Sequence, residues 1–260
     1  MRKFIETDFW TPRGVEKLEF NAEKVVKEIN NNILVSAGPG SGKTELLAQK
    51  ACYLLETNQC KFPKKILAIS FKKDAAKNLK DRVELRVGKE LSNRFDSFTF
   101  DAFAVNILSR FRNGLPDNFR PTINYKVDLN LNNRFVMQEL IRSFEGQKDL
   151  LLCELNSLNP STFEREYLCE NKLFLEKKIN NSIGEKVSEL IWNKKICEIY
   201  PSELSFNMIN RLSEFILRMN PFILKYLRQT YEYVFLDEFQ DTTQIQYDLL
   251  ITCFKGSNLN

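Results

Sequence analysis

Ala37-Gly38-Pro39-Gly40-Ser41-Gly42-Lys43-Thr44 stands between an apolar run, Ile33-Leu34-Val35, and a helix-favouring run, Glu45-Leu46-Leu47-Ala48-Gln49-Lys50. Strand, glycine-rich turn, Lys-Thr and helix is the setting in which a loop cradles phosphate groups. The glycines let backbone N–H groups curl around an anion without Cβ clashes. The helix that follows aims unsatisfied N–H groups and its positive dipole end at the same place. Lys43 is placed to neutralise the outer phosphates, and the Thr44 hydroxyl to ligate Mg²⁺. All eight residues, Ala37 to Thr44, are therefore candidate nucleotide contacts.

Working outward, the chain has 260 residues, 43% hydrophobic and 28% charged, as expected of a globular protein with a sizeable core. No stretch approaches the apolar length of a membrane span, and Met1 to Asp8 lacks a signal-peptide core, so no membrane partner is expected. Six cysteines (52, 60, 153, 169, 197 and 253) are scattered without a CxxC pair. They read as free thiols in a reducing compartment, the cytoplasm. Histidine is absent, which excludes Ser-His-Asp triads and His metal sites from this chain. The net charge of +4 is uneven: residues 1–112 hold 21 Lys and Arg against 14 Asp and Glu. That basic excess suits a polyanionic partner.

Ahead of the loop, Phe9-Trp10-Thr11-Pro12 offers either a hydrophobic anchor for the N-terminal arm or an aromatic wall near a base. Asn21 can cap a short helix bearing Val25, Val26 and Ile29. Behind the loop, Ile66 to Phe71 reads as a buried parallel strand. A helix from Asp74 to about Arg86 follows, with Ala75, Ala76, Leu79 and Val83 on one face. Phe95 to Phe100 is strand-like, and residues 101–112 look helical. Alternating strands and helices predict an α/β fold: a parallel sheet with helices on both faces.

The pattern turns mainly helical from Asn113 to about Asn220, with candidate helices near 132–146, 161–178, 183–199 and 203–219. Turn signals lie at Asn159-Pro160 and Tyr200-Pro201. Three parts are expected: 1–112, a helical insert over 113–219, and 220–260. In the last part Tyr233-Val234-Phe235-Leu236 reads as a strand, with a helix carrying Leu249, Leu250 and Ile251 near the end. The strand runs into Asp237-Glu238-Phe239-Gln240-Asp241. Strand C-termini of a parallel sheet open on one edge, where ligands bind. There Asp237 can hold Mg²⁺ opposite Thr44, and Glu238 can polarise an attacking water. Gln240 and Asp241 are placed to sense a terminal phosphate.

These motifs resemble those of UvrD/Rep-type superfamily 1 helicases. Ala37 to Thr44 is similar to that family's Walker A loop, and Tyr233 to Thr242 to its Walker B motif. Ile66 to Phe71 with Ala75-Ala76 resembles motif Ia, and Thr99-Phe100-Asp101-Ala102-Phe103 resembles motif Ib. The resemblance implies the first RecA-like domain of a P-loop ATPase, interrupted by a helical subdomain. It implies ATP and Mg²⁺ as cofactors, hydrolysis assisted by Lys43, Glu238 and Gln240, and 3′-to-5′ movement on single-stranded DNA. It also implies DNA contacts at Ser70, Phe71, Lys72, Lys73, Thr99 and Phe100. The competing reading is that Phe100 and Phe103 are simply core, and for Phe103 the core is the expectation.

The family carries a Gln before its phosphate loop to read adenine; this chain has Lys24 there. Asp101 and Asp74 replace a motif Ib His and a motif Ia basic residue. On the resemblance, residue 260 falls about where motif III is expected to begin, ahead of a second RecA-like domain. The expectation is half of an ATP site, completed by a missing C-terminal half or a second chain. The alternative is a non-catalytic module that binds nucleotide and DNA. A kinase is disfavoured by the Asp-Glu-Phe-Gln-Asp segment.

Overall fold

The computed structural model describes residues 4–38, 40–128, 168, 172–173 and 183–256. Pro39 and the expected helix near 132–146 lie outside the described residues, as does nearly all of the one near 161–178.

The chain divides into two compact units. The first comprises residues 1–103, 224–242 and 253–260. Its centre is a three-stranded parallel sheet of β1 (Lys65–Ser70), β2 (Phe95–Thr99) and a strand from late in the chain, Tyr231–Leu236, with β1 in the middle. β2 and the late strand are rich in β-branched and aromatic residues, which suit a buried pleated surface, and β1 is an apolar run from Ile66 to Ile69. Helices α1 (Phe20–Lys27), α2 (Lys43–Glu56) and α3 (Lys73–Ser92) also belong to this unit.

In-register positions of parallel strands project to the same face. Ile66, Phe95 and Tyr233 form one row, and Ala68 and Phe235 belong to the next. They pack against Ala48, Ala51, Cys52 and Leu55 of α2 and against Leu79, Val83 and Val87 of α3 in one apolar core. On the other face Phe98 meets Phe103, with ring centroids 6.5 Å apart. Phe103 lies in the first turn of α4 (Phe100–Phe111), so helical residues cover both faces. The expected α/β architecture is thus formed.

The N-terminal arm is strapped to α2. Trp10 is buried, stands edge-on to Tyr53 at 5.3 Å, and donates from Nε1 to Glu56 at 2.8 Å. The Gln49 amide clamps both backbone groups of Arg13, accepting from its N–H at 2.9 Å and donating to its C=O at 2.6 Å. Trp10 is therefore an anchor; its neighbour Phe9 is exposed.

One expected element is absent. Residues 33–38 form no strand, and Ile33, Leu34 and Val35 are exposed, Leu34 by 90%. An apolar run becomes a strand only when a neighbour takes up its backbone hydrogen bonds. Among the described residues, none of the sheet's three strands pairs with this segment.

The second unit comprises residues 104–223 and 243–252. It holds a two-residue parallel pairing of β3 (Lys126–Val127) with β4 (Glu203–Leu204), and the helices α5 (Ile183–Asn193) and α6 (Phe206–Met219). A π-helical run, Lys194–Glu198, continues α5. The helix expected over 203–219 begins only after β4, where the Ser205 hydroxyl caps it by accepting from Met208 N–H. Helix α7 (Pro221–Thr230) leads into the third sheet strand, now β5 (Tyr231–Leu236), and α8 (Gln244–Phe254) follows.

Candidate nucleotide-binding site

The C-terminal ends of β1 and β5 and the start of α2 bring the two acidic-and-basic motifs together. Gly40 and Gly42 adopt φ of +74° and +83°, with open space where a Cβ would stand. These left-handed positions turn the loop tightly enough for α2 to start at Lys43, its first backbone bond running from Leu46 N–H to Gly42 C=O. Gly40, Ser41 and Gly42 are exposed, as are Ala37 and Gly38. Lys43 Nζ donates to the Ala37 carbonyl at 2.9 Å and the Gly38 carbonyl at 3.3 Å. It also lies 4.0 Å from the Glu238 carboxylate. Those two carbonyl partners of Lys43 were not expected from the sequence; any flexible lysine beside free loop carbonyls can make such bonds.

Asp237 ends β5, its N–H bonded to the Ile69 carbonyl at 2.9 Å, and is only 7% exposed. Burial pushes its carboxyl above the usual aspartate range, and the neighbouring Glu238 charge adds to the rise. The Glu238 N–H bonded to that carboxylate and the charge of Lys43 oppose the rise. Glu238 adopts φ +52° and ψ +46°, a left-handed conformation costly for a residue with a Cβ. This reversal lets adjacent residues serve different ends. Asp237 stays in the sheet edge, and Glu238 reaches Lys43. The Gln240 amide donates to Glu238 Oε2.

The residue set suits a divalent cation held jointly with phosphates. Among the described residues no group of three or more His, Cys, Asp or Glu could hold a metal alone. A buried carboxylate and a helix-start hydroxyl leave most positions to phosphate and water, as Mg²⁺ prefers.

Burial divides the six residues expected near nucleic acid. Phe71, Lys72 and Lys73 are exposed at the end of β1 and the start of α3. Ser70 is fully buried, Thr99 is 9% exposed, and Phe100 is 4% exposed. Thr99 Oγ1 accepts from Ala102 N–H at 3.1 Å and so caps α4. Phe103 is buried as expected. Lys24 is exposed, with its ammonium 4.2 Å from the centroid of Phe20.

The UvrD/REP helicase N-terminal domain family matches residues 18–259. The chain belongs to that family. A "Probable DNA helicase II homolog" of Mycoplasma capricolum is 28% identical over 236 residues, covering 86% of this chain and 31% of that protein. The "ATP-dependent DNA helicase PcrA" of Leuconostoc citreum is 28% identical over 236 residues, 87% of this chain and 29% of its own length. The protein of the same name from Staphylococcus epidermidis strain RP62A is 28% identical over 250 residues, with 91% and 31% covered. The chain thus spans about 30% of the length of these relatives. Among the described residues, no helix is long and apolar enough to cross a membrane.

Proposed function

We propose that this chain is the ATP-binding part of a DNA helicase, coupling ATP hydrolysis to 3′-to-5′ movement on single-stranded DNA in the cytoplasm. The observation that carries the reading is the meeting of Lys43 and Glu238, 4.0 Å apart, beside the buried Asp237 at one sheet edge. A general phosphate site needs only the loop; hydrolysis needs an acidic partner within reach of the same phosphates. The family supports the helicase class, and the names of the relatives supply ATP and DNA.

In this reading the backbone N–H groups of Gly38, Gly40, Ser41 and Gly42 bind the phosphates together with Lys43. Lys43 exchanges the Ala37 and Gly38 carbonyls for phosphate oxygens. Thr44 and Asp237 hold Mg²⁺, whose charge offsets that of the phosphates when bound. Glu238, freed from Lys43, orients the attacking water, and Gln240 fixes the Glu238 carboxylate while sensing the terminal phosphate. Single-stranded DNA runs over Phe71, Lys72 and Lys73, where a ring can stack on a base and ammonium groups meet phosphates. Thr99, through its cap on α4, and Phe100 support that track from beneath. Residues 1–112 and 220–260 form the RecA-like domain around a helical subdomain, 113–219, and a second RecA-like domain, in the same protein or a partner chain, completes the ATP cleft.

The test is ATP turnover in the presence of single-stranded DNA. Lys43→Ala and Glu238→Gln should each lower it by at least a hundredfold, about 3 kcal/mol of transition-state stabilisation. Undiminished turnover in Lys43→Ala would overturn the assignment.

A further inference from the structure

The three sheet strands end in a polar row. The register that pairs Ser70 with Thr99 on one side continues, through the Asp237 N–H bond to Ile69, to Asp237 on the other. Thr99, Ser70 and Asp237 share the face of the apolar rows above, the face that packs on α2. Helix α2 begins at Lys43 and Thr44. The row therefore closes the sheet directly on the phosphate-loop side.

Two of the three side chains in this row are engaged. Thr99 Oγ1 accepts from Ala102 N–H, and the Asp237 carboxylate accepts from Glu238 N–H. Ser70 is different. It is 0% exposed, and its Oγ has no hydrogen-bond partner among the described residues. A buried hydroxyl with no partner destabilises the fold, and alanine would fill nearly the same space without that penalty. The neighbouring strand end presents a carboxylate, an acceptor with more lone pairs than its Glu238 N–H bond uses.

We propose that Ser70 is a positioning residue for the cation site: its hydroxyl donates to the Asp237 carboxylate once that group takes up Mg²⁺, holding one oxygen so that the other faces the nucleotide. The inference rests on the reading of Asp237 given above. It moves Ser70 from a nucleic-acid contact, which its burial denies it, to the metal's outer shell, where such partners govern affinity.

The experiment measures binding of a fluorescent ATP analogue (mant-ATP) to the 260-residue chain, in EDTA and in saturating Mg²⁺. Thermal melting of the unliganded proteins is followed in parallel. Ser70→Ala should bind like wild type in EDTA but lose about tenfold of the Mg²⁺-dependent gain in affinity. Ser70→Thr, which keeps the hydroxyl, should recover it. The unliganded melting temperature of Ser70→Ala should be equal to or above that of wild type. The proposal is overturned if Ser70→Ala keeps the full Mg²⁺-dependent gain, weakens binding equally with and without metal, melts lower, or instead loses affinity for an oligo-dT strand. Lys43→Ala and Asp237→Asn separate the two readings. If both weaken binding and Ser70→Ala does not, the positioning role alone fails. If neither weakens it, or wild type gains nothing from Mg²⁺, the cation-site reading fails and the role of Ser70 fails with it.

Discussion

Two charged clusters in this chain are built to opposite specifications. In the second unit Arg211 and Glu214 are both fully buried, 3.4 Å apart. Arg211 also binds Asp248 at 2.9 Å, and Glu214 binds Arg218 at 2.8 Å and accepts from the Thr252 hydroxyl at 3.3 Å. Every member holds fixed partners in a low-dielectric setting, where each charge depends on the others. At the phosphate loop Lys43 and Glu238 meet at 4.0 Å with side chains 27% and 43% exposed. Lys43 spends its other bonds on two loop carbonyls that water could replace. The sealed cluster specifies a structure. The open one holds its charges in place and can exchange partners.

The sharpest way to break this contrast is to remove one member from each. Glu214→Ala leaves Arg211 and Arg218 without their shared carboxylate and should cost about 3–5 kcal/mol in urea unfolding. Lys43→Ala should change stability by less than about 0.5 kcal/mol while abolishing tight mant-ATP binding. Equal stability losses in the two variants would erase the distinction.

A buried cation without a carboxylate partner in hydrogen-bond contact sharpens the comparison further. Lys50 is 8% exposed and donates to the Val25 and Glu28 carbonyls, at 2.8 Å and 2.5 Å, at the end of α1. Burial pulls its ammonium down from 10.5 to about 8, against a smaller upward pull from the Glu28 charge. Between those two values the unfolded chain binds a proton that the folded chain does not, so this residue makes stability rise with pH across the window. The rise should be on the order of 1–3 kcal/mol. Urea midpoints from pH 7.5 to 10.5 should climb in wild type relative to Lys50→Met, and parallel curves for the two would contradict the assignment.

The same contrast governs the thiols. Burial raises Cys52 and Cys60 to about 12, and Cys253 is also buried, whereas Cys197 is exposed. Among these four, Cys197 should react with a thiol reagent under native conditions and the others only after unfolding. Fast native labelling of Cys52 would show that the core face of α2 opens readily.

How much of this was legible in the sequence follows from how local each cause is. The phosphate loop and the three sheet strands could be read because glycine conformations and apolar runs carry their own signal. The Asp237-Glu238 edge was legible for the same reason, since a strand ending in acids needs only its neighbours in sequence. Residues 33–38 misled because Ile33, Leu34 and Val35 have strand character but strand formation depends on a partner. Phe100 could be read as a contact or as core, and Thr99 as a contact; burial, which no short motif encodes, placed both inside. Arg211 and Glu214 were invisible as a core network. On an amphipathic helix such charges ordinarily face water, and partners distant in sequence, such as Asp248, 37 residues from Arg211, show why they do not.

The smallest predicted effect tests whether the open edge also carries strain. Glu238 occupies a left-handed conformation that glycine adopts freely and residues with a Cβ do not. Gly40 and Gly42 meet the same demand in the loop with no side chain. In the proposed function position 238 has to present a carboxylate beside Lys43, so the backbone penalty remains. Glu238→Ala and Glu238→Gly both delete the carboxylate, but only glycine relieves the conformation. Glycine should therefore be the more stable of the two by about 1 kcal/mol, with both variants equally defective in ATP turnover. Were alanine as stable as glycine, the left-handed turn would cost the fold nothing, and placing Glu238 against Lys43 would involve no trade between stability and function.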